Sequence, residues 1–202
     1  MGWIITSFIT VILLVVFFLL NFYRDPERKV PKGSSIVAPA DGRIISIIDT
    51  SKKSIKIRKG LFGKIKSLSR EIARECYVIS IFMSPFDVHV NRSPIQGIVT
   101  SVKYKKGTFF KAYNLEKSLE NEKNEIIIKN KMLKVKVIQI AGFLARRIKC
   151  YVKKNQNLNK GQKIGMIALS SQTTMIIPRG VDLKVKINQH VKAGETIMAI
   201  LK

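Results

Sequence analysis

The sequence is poor in the residues that build metal and redox centres: of 202 residues, two are cysteine and two histidine. Cys76 and Cys150 fall in strand-like segments and make no CxxC or CxxH spacing, so no zinc or redox site is indicated and two buried free thiols are expected. Acidic residues are scarce as well, 13 against 37 Lys and Arg, which leaves a net charge of +24. Such a field favours a polyanion, either nucleic acid or an acidic membrane surface, although Lys-, Ile- and Asn-rich usage also follows from a biased genome. An RNP-like aromatic pattern, a Cys/His finger and a helix-turn-helix pattern are all missing, so nucleic acid has charge alone in its favour and is not expected as a partner. The length suits one good-sized core, or one core with an appendage.

What the chain does have is a long apolar run. Residues 3–23, WIITSFITVILLVVFFLLNFY, carry no charge and match the ~20 residues a helix needs to cross a hydrocarbon core. A cleavable signal peptide would want a basic start, a shorter apolar stretch and a small-residue cleavage site. We therefore expect a transmembrane anchor over residues 1–23 and a basic linker over 24–35. Arg24, Arg28, Lys29 and Lys32 follow the span, and the positive-inside rule puts the remaining residues, 36–202, on the cytoplasmic face. A basic domain held beside the anionic leaflet accounts for the charge. Further along, Leu61, Ile65, Leu68 and Ile72 fall at helical spacing among basic residues, which suits either a second membrane contact or a helix packed on the domain.

After Pro26, Pro31, Gly33 and Ser34 the pattern is of strands and turns. VDLKVKIN alternates as a half-buried strand does, and CYVISIFM and MLKVKVIQIAG also read as strands; only the segment around 110–124 looks helical or irregular. Two internal echoes stand out. NQNLNKGQKIGMI from Asn155 and NQHVKAGETIMAI from Asn188 share one register, and APADGRIISI from Ala38 parallels SPIQGIVTSV from Ser93. The expected fold is mainly β, a barrel-sandwich-like domain of duplicated strand-turn-strand units behind one N-terminal transmembrane helix. The cadence resembles that of lipoyl and biotinyl carrier domains, a likeness of fold that carries no function.

The echoes act as internal controls on candidate residues. His190 corresponds to Asn157 in the other copy, so its turn needs no imidazole. Asp41 corresponds to Gln96, so that turn needs no carboxylate, yet an acid stands in an apolar strand lead-in. In FMSPFDVHVNRSPIQG, strand alternation would put Asp87, His89 and Asn91 on one face, a setting for general acid-base chemistry by His89. In GMIALSSQTTMIIP, Ser170 and Ser171 occupy positions where a buried strand prefers Val or Ile. They form either a polar turn or a site where a hydroxyl does chemistry.

NFYRDPER, APADGRI, FMSPFDVHVNRSPIQG, NEKNEIII, QIAGFLARRIKCYV, GQKIGMIALSSQTTMIIP and VKAGETIMAIL together resemble, in order and spacing, the phosphatidylserine decarboxylase family. The likeness covers essentially the whole chain and is strongest to its short, membrane-anchored members, which include decarboxylases of archaeal serine lipids. It implies a precursor that cuts itself between Ser170 and Ser171 into a β chain of residues 1–170 and an α chain of residues 171–202. Attack of the Ser171 hydroxyl on the preceding carbonyl gives an ester, β-elimination gives dehydroalanine, and hydrolysis leaves a pyruvoyl group as the only cofactor. Its ketone takes up the electrons released as carbon dioxide leaves a serine phospholipid, giving the ethanolamine lipid. By this resemblance Asp41 matches the family's acid and His89 its D-x-H histidine; we expect His89 to deliver the proton to the decarboxylated carbon and Asp41 to assist in activating Ser171, with either residue open to both steps. Arg92 stands where longer members have a second histidine and, with Asn91, would contact the substrate head group. Ser170 departs from the family's usual glycine, which puts a Cβ beside the carbonyl under attack and a second hydroxyl within reach. The other function the sequence allows is an unprocessed, non-catalytic relative that binds anionic membrane lipid or a partner. The sequence sets no oligomeric state and leaves a homo-oligomer open.

Overall fold

Branched apolar residues alternating with Lys, Ser and Thr favour pleated, half-buried strands, and fourteen of them form among the described residues. A computed structural model describes residues 2–52, 63, 65, 67–108, 120–142, 147–168 and 171–201. Helix α1 (Gly2–Phe22) is followed by β1 (Ser35–Val37), β2 (Gly42–Asp49), β3 (Cys76–Met83), β4 (Val90–Arg92), β5 (Gly97–Lys105), β6 (Lys123–Lys129) and β7 (Lys134–Ile140). Then come β8 (Ile148–Cys150), β9 (Asn157–Leu158), β10 (Lys163–Ile167), β11 (Ser171–Pro178), β12 (Val181–Leu183), β13 (His190–Val191) and β14 (Ile197–Leu201). The main sheet runs β13-β2-β3-β11-β7-β6-β5-β9, and two small sheets run β1-β14-β12 and β4-β10-β8.

These orders contain a pseudo-twofold relation that makes the sequence echoes physical. Exchanging β1 with β4, β2 with β5, β3 with β6, β11 with β7, β12 with β8, β13 with β9 and β14 with β10 maps every sheet onto itself or its partner. Strands β4–β10 therefore form one complete unit, inserted between β3 and β11 of the other. Backbone bonds obey the same exchange: the Val37 amide donates to Pro94 and the Arg92 amide to Pro39, at 3.0 and 2.9 Å, while the Gly161 amide donates to Ser93 and the Gly194 amide to Ala38, both at 2.8 Å. Asn155 and Asn188 both take the left-handed conformation, at φ 68° and 70°, which asparagine tolerates better than most residues. Gly42 and Gly97 open equivalent strands against a neighbouring backbone. A Cβ there would stand 2.1 Å from the Phe82 carbonyl oxygen and 2.5 Å from that of Lys129.

Both faces of the central strands are buried. The inner face packs Ile44, Ile79, Ile81, Val99, Ile126, Val137 and Met175 into the main core. On the outer face, Ile48, Val78, Ile138 and Ile176 meet Ile65, with Leu68 and Ile72 against them. Of the two uses open to the amphipathic stretch, the described part of its stripe thus packs on the domain; Leu61 lies outside the described residues. Lys136, 1 % exposed, ties this layer down by donating to the Leu68 carbonyl at 3.0 Å and pairing with Glu71 and Glu125 at 2.5 and 3.3 Å. Cys76 is buried as expected, but Cys150 is exposed, because β8 edges a small three-stranded sheet instead of lying in the core. Of the segment 110–124, residues 110–119 lie outside the described residues, and β6 begins at Lys123. The helix α1 is long and apolar enough to cross a membrane.

Candidate active site

Ser171 is the first residue of β11 and pairs with Met83, the last of β3. It marks the point where the chain returns from the inserted unit to the first. Its side chain is fully buried, and its hydroxyl donates to Met83 Sδ at 3.5 Å, a weak acceptor. Thr173, two residues on and so on the same face, also reaches Met83 Sδ at 3.5 Å. It accepts from Asn91 Nδ2 at 3.2 Å. Asn91 Oδ1 in turn accepts from Gln139 Nε2, and Gln139 Oε1 from Asn124 Nδ2, both at 2.9 Å. All four of these polar side chains are buried. A chain of amides therefore ends beside Ser171, and each bond fixes the orientation of the next.

His89 precedes β4 and has no exposed surface. Its Nδ1 lies 2.8 Å from the backbone carbonyl of Asp87. A carbonyl only accepts, so Nδ1 carries the proton and Nε2 keeps a free lone pair. That Nε2 is buried and has no hydrogen-bond partner among the described residues. Burial lowers the imidazole pKa from 6.5 to about 4, and nearby Arg24 adds to this against the opposing pull of Asp87. The ring of Phe22, at the end of α1, lies over the imidazole with centroids 4.3 Å apart.

The row expected from strand alternation is not formed. Residues 84–87 make a turn and β4 starts only at Val90, so the Asp87 carboxylate turns back to accept from the amide and hydroxyl of Ser84 at 2.8 and 2.7 Å. Asp87 therefore serves His89 through its backbone. Asp41, just before β2, accepts two bonds from Arg28 at 3.0 and 2.9 Å and one from the Ala193 amide at 2.7 Å. Burial still leaves its pKa above the ordinary value, with the nearby Asp87 charge raising it too. Arg43 pairs with Phe82 on one side of β3 while Ser171 pairs with Met83 on the other. Asp41 and Ser171 thus lie toward the same end of β3, on its two opposite sides. No hydrogen bond joins them. Ser170 lies outside the described residues. His190 is exposed on β13, as its counterpart Asn157 is on β9.

The end of α1 and the linker after it together reach three of these residues. Besides Phe22 on His89 and Arg28 on Asp41, Asp25 accepts from Arg92 Nη2 at 2.5 Å. Arg92 also donates to the carbonyls of Pro26 and Gly161, at 3.2 and 3.1 Å. Sequence reasoning missed Phe22, Asp25, Arg28, Met83, Asn124, Gln139 and Thr173. For Gln139 and Thr173 a signal existed, since each is polar within a strand whose neighbours are apolar. Taken together, the site offers a buried hydroxyl at a strand start, a neutral imidazole with an open nitrogen, and two cationic groups held by carboxylates.

Comparison with known proteins finds one family over most of the chain. The sequence model of a family described as phosphatidylserine decarboxylase matches residues 15–199. A putative archaetidylserine decarboxylase proenzyme of Methanocaldococcus jannaschii is 43% identical over 187 residues, which cover 92% of this chain and 91% of that protein. Phosphatidylserine decarboxylase proenzymes of Chlorobium limicola and Burkholderia ambifaria are 40% and 37% identical, over 92% and 94% of this chain and 80% and 81% of theirs.

Proposed function

Because the chain belongs to the phosphatidylserine decarboxylase family, we propose that it is a self-processing decarboxylase of a serine phospholipid, anchored by α1 with its β domain on the cytoplasmic face. Two observations support this reading: Ser171 is fully buried at the crossover between the two units, and the buried His89 Nε2 has no hydrogen-bond partner among the described residues. Cutting between Ser170 and Ser171 would give a β chain of residues 1–170 and an α chain of residues 171–202. Such a cut removes no strand pairing: β11 stays held by eight residue pairs to β3 and five to β7.

The surroundings of Ser171 suit a pyruvoyl group formed from it. They hold a soft sulfur, a threonine hydroxyl and a fixed amide, with no charged side chain among the described residues bonded to the position. When formed, the group supplies a ketone that bonds to the substrate amine and takes up the electron pair released with carbon dioxide. Asn91 and Thr173 hold the new terminus in place. His89 Nε2, neutral and unpaired, takes a proton from the substrate ammonium and returns it to the carbon that has lost carbon dioxide. Asp41 assists removal of the Ser171 hydroxyl proton during cutting, once Arg28 releases its carboxylate. The Asp25 carboxylate on Arg92 marks an anion position on that guanidinium, and the phosphate of the head group takes it when substrate binds.

The test is decarboxylation of a serine lipid labelled in the carboxyl carbon, assayed in membranes. His89→Ala is expected to lower the rate at least ~100-fold, the usual scale for losing a general acid-base group, and Ser171→Ala to abolish it in a chain that stays whole. Normal turnover by the Ser171→Ala protein would overturn the pyruvoyl mechanism.

A further inference from the structure

The turn at 84–87 carries an apolar ring that the domain does not use. Phe86 is 72 % exposed, whereas Phe82, the one other described phenylalanine outside α1, is half-buried. The turn is fastened to the end of the membrane-spanning helix at three points. Phe86 meets Phe18 edge-on at 6.4 Å between centroids; Arg24 Nη2 donates to the Phe86 carbonyl at 2.6 Å; and Phe22 packs on His89, three residues further on.

These contacts fix depth. The 21 residues of α1 span about 31 Å at 1.5 Å per residue, against a hydrocarbon core of about 30 Å. The helix has no length to spare, so Phe22 stands at the boundary of the core. Phe18 lies four residues, roughly 6 Å, further in, and Phe86 touches Phe18. Tyr23 and Arg24 follow directly, an aromatic and a cation at the level where both anchor to the interface. A ring at the depth of Phe18, beside a lipid-exposed helix, has acyl chains as its neighbours.

We propose that the turn at 84–87 inserts into the membrane, with Phe86 among the acyl chains of the leaflet beside Phe18, so that His89 is held at the bilayer surface. The occupant of this apolar surface is the phospholipid bilayer itself. The insertion rests on α1 spanning the membrane and is independent of the decarboxylase reading. Joined to that reading, it means that a serine lipid is processed while its chains remain in the bilayer.

The experiment uses the full chain in phosphatidylcholine and phosphatidylglycerol vesicles. Trp3 is the only tryptophan, so Phe86→Trp in a Trp3→Phe background gives a single reporter. Its emission should shift to shorter wavelength and be quenched by lipids brominated on the acyl chain near the head group. A second reporter guards against misfolding of that variant: Phe86→Cys in a Cys150→Ser background, carrying an environment-sensitive label, should show the same shielding. Water-like emission without quenching from both, in protein whose Trp3 is quenched in the parent chain, would overturn insertion of the turn. An unquenched Trp3 would overturn it at its premise, with the decarboxylation assay left free to succeed or fail by itself.

Discussion

The placement of His89 has a consequence for pH that separates a buried, neutral imidazole from a surface one. In the folded protein its pKa lies at about 4 against an ordinary 6.5, mainly because Phe22 and the domain strip it of water. The folded state therefore stays unprotonated at His89 while the unfolded chain takes up a proton as pH falls through 6.5. Above pH 6.5 both states are neutral and the group contributes nothing. Between 6.5 and 4 the unfolded state binds the extra proton, so stability falls with pH, and below 4 the loss is complete. At 1.36 kcal/mol per unit, the total loss is about 3 kcal/mol. Replacing Phe22 by Ala admits water to the ring and should bring the His89 pKa back toward 6.5, removing most of that acid sensitivity. The assay is a titration of the His89 imidazole by nitrogen-detected NMR in micelles, alongside denaturant midpoints between pH 4 and 7. A wild-type His89 that titrates near 6.5, or a Phe22→Ala protein whose His89 still titrates near 4, would refute the reasoning.

Two further substitutions probe the frame that holds the site. Gly42→Ala would place a Cβ 2.1 Å from a backbone oxygen at φ +139° and should lower the thermal midpoint by several degrees or more, at ~2–4 °C per kcal/mol for a chain of this size; the equivalent Gly97→Ala, without a positive φ, should cost less, and equal midpoints would contradict the cost assigned to the positive φ of Gly42. Lys136→Ala leaves Glu125 buried with one fewer partner and should destabilise by about 3 kcal/mol in denaturant titration, whereas Lys136→Met with Glu125→Gln should recover much of it; no recovery would mean that the loss comes from packing.

Much of the fold was legible because repetition is visible in sequence: the paired Asn-Gln and Pro-x-x-Gly segments mark turns whose backbone demands recur in space. The insertion of one unit inside the other was not, since strand partners such as β3 and β11 lie about ninety residues apart and carry no local signal of pairing. Ser171 and His89 showed as polar residues out of place among apolar ones. Alternation failed at Asp87 because a turn interrupts the strand, which sequence period cannot register. The apolar stripe at Ile65, Leu68 and Ile72 would look the same facing lipid or core. Least legible was the linker: Asp25 and Arg28 read as ordinary flanking charges, and only folding brings them to Arg92 and Asp41.

The central claim is that Ser171 becomes a new, ketone-bearing N-terminus, and it is tested most directly by the intact mass of the purified, denatured protein before and after borohydride treatment. The account predicts two chains, the smaller running from residue 171 to Lys202 and gaining the mass of two hydrogens on reduction. A single unmodified chain after prolonged incubation would contradict it, and would favour the unprocessed lipid-binding relative.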